Sequence, residues 1–209
     1  MIAEGKEFFD IFNQAKTFTE WLDSLPENFQ EKTRRYYDKI YMMVISEYKQ
    51  RIKIDNRYKV YILVIVEDHC WDCHFYTPVL ARLAENINHI ELRILKPDNP
   101  LVVEKHLLEK TNGGKKTPYV MFYSIDGYYI DRWVERPTLV YELYARIKRE
   151  LGFDNKDFYK EYRKQFLKDQ ELFYRAAAEE LTKKICRANA IQGTSPRINT
   201  KFLSMENPV

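Results

Sequence analysis

The chain has 209 residues, of which 45% are hydrophobic, 15% aromatic and 31% charged, with a formal net charge of +3. A chain of this size and composition can bury enough apolar surface to offset its ordering entropy, which excludes wholesale disorder. Its near-balanced, interspersed charges give no push toward nucleic acid or a membrane surface.

In chain order, the opening MIAEGKEFFDIF sets Glu4, Glu7 and Asp10 among its apolar residues. It lacks the layout of a secretory signal, so a cytoplasmic location is expected. Residues 5–25 pattern as a broken helix anchored by Phe8, Phe9, Phe12, Trp21, Leu22 and Leu25. Pro26 interrupts it. From Glu27 a longer helix is expected, because Tyr37, Ile40, Tyr41, Val44 and Tyr48 recur at spacings of three and four. Asp55-Asn56 supplies turn chemistry. VYILVIV (Val60–Val66) is β-branched, without polar alternation, and too short for a bilayer span. It reads as a central strand buried on both faces.

Residues 73–86 pattern as a helix, and IELRIL (Ile90–Leu95) as a second strand. Asp98 or Asn99 can cap a helix that starts at Pro100 and runs through Lys105 and Leu108 to about Lys110. Thr111–Pro118 is a loop with two adjacent glycines. YVMFYS and YYIDRWV flank Ile125-Asp126-Gly127, a hairpin signal. Arg136-Pro137 opens a helix reaching Leu151. After Gly152-Phe153-Asp154, apolar residues from Phe158 to Ile185 keep helical spacing. The basic-aromatic segment KDFYKEYRKQF within it reads as a packing helix rather than an RNA-binding one. The organisation expected is a helical arm (1–30), a core domain (31–151), a helical extension (152–188) and an irregular tail (189–209).

The chemistry concentrates in VEDHCWDCHFYTP (Val66–Pro78), which holds two of the three cysteines and two of the four histidines. Three cysteines build no disulfide framework. Cys70 falls where a buried strand ends and a helix begins. There, free backbone N–H groups and the helix dipole favour a thiolate. Cys73 follows one turn on, within disulfide reach. Cys70 can therefore attack a disulfide and Cys73 can resolve the intermediate. Metal binding is the weaker reading. The adjacent pairs His69/Cys70 and Cys73/His74 point different ways, and no second cluster completes four converging ligands, so no metal site is assigned. Cys186 is expected to be a small buried hydrophobe.

In these residues the chain resembles the thioredoxin superfamily. The strand, Cys70-Trp71-Asp72-Cys73 and the helix match its active-site unit. Pro78 matches its helix-kinking proline, and Thr117-Pro118 matches its cis-proline. The chain is more closely similar to small uncharacterised prokaryotic thioredoxin-like proteins with a Trp-Cys-Gly-Asp-Cys-type motif. The matching residues are Glu67 through Cys73, Ile90–Leu95, Asn112-Gly113-Gly114-Lys115-Lys116-Thr117-Pro118, Asp131-Arg132-Trp133 and Arg136-Pro137, within about residues 58–150.

The resemblance implies an α/β thioredoxin-like fold, with a mixed sheet of about four strands flanked by helices; the apolar spacing outside it adds helical extensions at both ends. It implies a protein-disulfide oxidoreductase with Cys70 as nucleophile, Cys73 as resolving thiol, and Thr117 and Pro118 as the substrate platform; Trp71, expected to face solvent beside a reactive thiol, is a further candidate for substrate contact. No bound cofactor is needed, since a reductase would supply the electrons. The implied partners are disulfide-containing proteins and that reductase, not nucleic acid or membrane. The terminal helices are candidates for a homo-oligomer interface. The alternative function is a non-catalytic thioredoxin-fold binding or assembly module.

Three departures bear on reactivity. His69 replaces the usual Trp, Trp71-Asp72 replaces Gly-Pro, and Val64 stands where thioredoxins bury an Asp. Glu67, Asp68 and Asp72 are the candidates to replace that acid. Asp72 should raise the Cys70 pKa, whereas a protonated His69, Lys115 and Lys116 should lower it.

Overall fold

The computed structural model describes residues 3–43, 47–48, 52–104, 110–111, 114–152 and 155–194. The expectations at Val44, Lys105, Leu108, Asn112-Gly113, Phe153-Asp154 and the tail from residue 195 onward lie outside the described residues.

The expected central strand is β1 (Val60–Ile65). It pairs in parallel with β2 (Ile90–Leu95), Val60 opposite Ile90 and Ile65 opposite Leu95. On its other side it pairs antiparallel with β5 (Tyr119–Tyr123). β6 (Tyr129–Val134) closes the sheet, giving the order β2-β1-β5-β6. The β5–β6 turn depends on Gly127, which has φ +80°; a Cβ there would meet the Gly5 carbonyl oxygen at 2.9 Å. The sheet is mixed and four-stranded, as expected. The loop before Pro118 adds a separate ribbon, β3 (Lys110–Thr111) with β4 (Gly114–Lys115). Lys110 thus belongs to a strand rather than to the end of a helix.

Both faces of β1 are buried, as its unbroken apolar run demands. Ile62, Val64 and Phe122 point into the larger core, while Leu63, Ile65, Met121 and Tyr123 point into a second one. The second core is covered by the arm helix α1 (Lys6–Phe12). Phe8 of α1 stacks on Tyr123 at 4.0 Å between ring centroids. Val102 of the short helix α5 (Pro100–Glu104) joins it.

The larger core surrounds α4 (Trp71–Asn86), which packs on α3 (Glu27–Met43). Trp21 and Leu22 of α2 (Phe18–Asp23) join the same core; a capping box at Thr17 and Glu20 starts that helix. α6 (Thr138–Leu151) carries Val140, Leu143 and Ile147 inward. The extension forms two helices, α7 (Phe158–Lys168) and α8 (Gln170–Gln192). In α7, Phe158, Tyr162 and Phe166 are buried, which makes it a packing helix. α8 lies against α4 through Tyr174, Ala177, Ala178, Leu181 and Ile185. Much of the apolar face of the terminal helices is buried inside the molecule, while Tyr159, Leu167, Leu172 and Ile191 stay exposed. None of the described helices is long and apolar enough to cross a membrane.

α8 runs to Gln192, past the boundary expected at residue 188. Its last turn is held by polar side chains, which break the apolar pattern that sequence reading follows. Asn189 Nδ2 donates to the Asp55 and Tyr58 carbonyls, and Gln192 Oε1 accepts from the Ile125 N–H at 2.8 Å. Higher up, Glu180 of α8 takes the Trp133 indole N–H and the Thr138 N–H, each at 2.8 Å, which ties β6 and the start of α6 to the extension. Replacing Glu180 by Ala removes both charge-assisted bonds. It is expected to lower unfolding stability by about 2 kcal/mol, read as a shift of the urea midpoint at unchanged slope.

Candidate functional site

β1 ends against the sheet centre, and the chain turns through Glu67, Asp68 and His69 into α4. Cys70 is the N-cap of that helix, in extended backbone conformation, with Sγ accepting from the Cys73 N–H at 3.3 Å. The same sulfur donates to the Thr117 carbonyl at 3.3 Å. The Thr117–Pro118 peptide is cis, and Thr117 is buried. Cys70, Cys73 and Thr117, 47 residues away from the first cysteine, thus meet at one point. Both thiols are free.

The two sulfurs differ in environment. Cys70 is half-buried, whereas Cys73 is fully buried at 0% exposure. The hydrogen bond from the Cys73 thiol pulls the Cys70 pKa down. Burial opposes this, the Thr117 side chain and the Cys73 N–H assist it, and the Asp72 charge opposes it. Burial and the neighbouring Cys70 push the Cys73 thiol well above its ordinary value. The arrangement holds a readily ionised sulfur at the surface and a protonated one directly behind it.

The candidate modulators separate. Glu67 and His69 are exposed, and the His69 ring rests edge-on against Phe29. Asp68 is ion-paired with Lys96. Val64 is buried and supplies no acid. Asp72 is the one candidate taken into the interior, at 8% exposure. Its Oδ2 meets Arg136 Nη2 at 2.7 Å, and the same nitrogen meets Glu135 Oε1 at 2.6 Å. Glu135 adopts a left-handed backbone at φ +63°, which aims its carboxylate at this cluster. Burial pushes the Asp72 carboxyl up to about 6 against the pull of Arg136. Burial also opposes the Arg136 charge, but Asp72, Tyr162 and Glu135 hold the guanidinium protonated above its ordinary value.

Trp71, expected to face solvent, is half-buried because the extension covers it. Phe166 of α7 packs on it edge-to-face at 4.4 Å, and Lys32 Nζ lies 5.7 Å from its ring centroid. Lys116 is brought toward the cysteines, sharing a cleft with Trp71 and Asp72, while Lys115 is exposed in β4. Cys186 is half-buried rather than buried. The sequence gives Glu135 and Tyr162 no place at the site, and marks Arg136 only as the start of a helix and part of the Arg136-Pro137 match, not as a partner of Asp72. Arg136 lies 64 residues from Asp72, so no local spacing signals the pair.

His74 has no ring nitrogen to spare for a metal. Nε2 donates to the Asp68 carbonyl at 2.7 Å and Nδ1 faces the Thr33 hydroxyl at 2.7 Å. The ring stacks on Phe29 at 4.9 Å. Among the described residues, no group of three or more His, Cys, Asp or Glu side chains is placed to hold a metal ion.

A thioredoxin family model matches residues 15–149. Two solved structures are similar across almost the whole chain. A protein of unknown function from Pseudomonas aeruginosa is 18% identical with a TM-score of 0.59, covering 93% of this chain and 100% of its own. An HIV epitope-scaffold is 18% identical with a TM-score of 0.58, covering 90% of this chain and 98% of its own. At that identity the likeness speaks for the fold alone, and it takes in much more of the chain than the family match does. None of the curated proteins matches.

The Asp72 charge gives the site a pH signature. Ionisation of Asp72 near pH 6 places a negative charge beside Cys70 and raises the thiol pKa. In Asp72→Asn that charge is gone at every pH. The midpoint of the pH dependence of Cys70 alkylation by iodoacetamide is therefore expected to move down. An unchanged or upward-moved midpoint would show that the Asp72 charge does not hold the thiol pKa up.

Proposed function

This chain belongs to the thioredoxin family, and from that premise we propose that it is a thiol–disulfide oxidoreductase acting on protein disulfides. The observation that carries the reading is the asymmetry of the pair: Cys70 caps α4 with its pKa lowered, and Cys73 lies fully buried behind it with its pKa raised.

In the proposed reaction, the Cys70 thiolate attacks one sulfur of a substrate disulfide. A Cys70–substrate disulfide forms and the other substrate sulfur leaves as a thiolate. Cys73 gives up its proton and attacks Cys70 Sγ. The internal disulfide forms and the second substrate thiolate leaves. Two electrons pass from the dithiol to the substrate, and the two protons lost by the cysteines are taken up by the released thiolates. A reductase, or dithiothreitol in the test tube, returns two electrons to the internal disulfide. In this scheme Cys73 stays protonated until the mixed disulfide forms. At that point the Cys70 thiolate no longer opposes its ionisation, and one of the two causes of its raised pKa is gone. Thr117 and Pro118, directly beside Cys70 Sγ, are the proposed resting place for the substrate backbone.

The test is reduction of insulin disulfides with dithiothreitol as donor. Wild type is expected to accelerate turbidity onset, while Cys70→Ser falls to the rate of dithiothreitol alone. Cys73→Ser is expected to lose turnover and to accumulate a mixed disulfide with substrate, visible by mass and reversed by excess thiol. An inactive wild type that forms no mixed disulfide would leave the fold as a binding module.

A further inference from the structure

Beside the cysteine pair lies a cleft of ≈ 580 Å³. This is within the range of about 300–1,000 Å³ typical of small-ligand sites, and it exceeds what one side chain fills. One wall is Trp71 and Asp72, the two residues between the cysteines; the opposite walls come from Lys116, Arg136, Arg163 and four tyrosines of α6 and α7. The extension therefore builds part of the site rather than only covering the core.

Inside the cleft, polar capacity is left over. The Asp72–Arg136 pair at its floor is buried, yet Asp72 Oδ1 and Arg136 Nε have no partner among the described residues. The charges are unequal. Arg136 is matched by Asp72 and Glu135. Lys116 reaches Glu135 only at 3.9 Å, and the exposed Arg163 has no carboxylate within ion-pair distance among the described residues. Three cations thus face two carboxylates, an excess of one positive charge, with the exposed Arg163 and the loosely paired Lys116 beside aromatic rings.

We propose that this cleft is the substrate-recognition site, and that it takes a carboxylate-bearing flank of the disulfide, its apolar body against the tyrosines and its carboxylate at Arg163 and Lys116. The inference rests on the redox reading above and adds the substrate class. The carboxylate can belong to a small disulfide or to an acidic residue next to a cystine in a protein. Chemistry follows the two exchange steps already described, and the flank leaves with its sulfur as a thiolate.

The test compares three disulfides reacting with the pre-reduced full chain: anionic 3,3′-dithiodipropionate, neutral bis(2-hydroxyethyl) disulfide and cationic cystamine. Rates are divided by those of dithiothreitol with the same disulfides, which removes intrinsic reactivity. The anion is expected to exceed the neutral compound by about tenfold, with cystamine slowest. In the Lys116→Gln, Arg163→Gln double variant that ratio is expected to collapse toward one. A charge preference absent from both the small disulfides and the Glu/Gln cystine-peptide pair, or one that survives the double variant, would overturn the proposal. A cystine peptide flanked by Glu, compared with its Gln counterpart, separates the two sources. A preference seen only in the peptide assigns the site to protein substrates. Suberate, which has methylenes in place of the two sulfurs, tests the cleft without redox chemistry. Its binding, followed by Trp fluorescence, is expected for wild type and lost in the double variant. Suberate binding with no disulfide reacting would uphold the cleft and sink the redox reading. Disulfide reduction with no suberate binding and no charge preference would do the reverse.

Discussion

From Asp72 through Ala81, every residue of the helix that Cys70 caps is buried. A helix apolar on one face needs one cover; a helix buried all round needs several. The rest of the architecture answers that demand. β1 and β5 lie beneath α4, α3 lies alongside, and α8 with α7 closes the remaining side. Phe75 shows the result most directly, stacked on Tyr174 of α8 at 3.9 Å and edge-on to Phe166 of α7 at 4.7 Å.

The constraint also shapes the chemistry. A thioredoxin-like strand with Val64 in place of an acid offers no buried carboxylate from below. The helix supplies one instead, by carrying Asp72 inward between the two cysteines. An ionised carboxylate there is costly, and Arg136 with Glu135 offsets part of the cost. The balance leaves Asp72 titrating near pH 6, so the charge beside Cys70 varies over a physiologically accessible range. The same helix turns His74 away from chemistry. Both of its ring nitrogens are engaged, and burial lowers its pKa, so it acts as a polar strut between α3 and the Asp68 turn.

Much of this was legible in the amino acids. The unbroken apolar run of Val60–Val66 could only be a doubly buried strand, and Asp126-Gly127 could only turn one strand back along another. The spacing of Cys70 and Cys73 at a strand-to-helix junction set out the dithiol before any coordinates. These are local signals, carried by propensity, periodicity and turn chemistry over a few residues. Local patterning also explains the errors. Asn189 and Gln192 look like the end of a helix because they are polar, yet they are buried and hydrogen-bonded to distant backbone.

What only the tertiary structure decided is which distant groups stand beside the sulfurs. Trp71 reads as exposed from its neighbours along the chain, but α7, nearly a hundred residues on, packs against it. Asp72, Glu67 and Asp68 are equivalent acids in sequence; burial and the approach of Arg136 from the end of β6 separate them. The sequence by itself determined the Cys70–Cys73 pair at its strand-to-helix junction and the scaffold, because those depend on neighbours along the chain. The charge, the cover and the cleft around them depend on neighbours in space, and their positions are set by how the helices must close over α4.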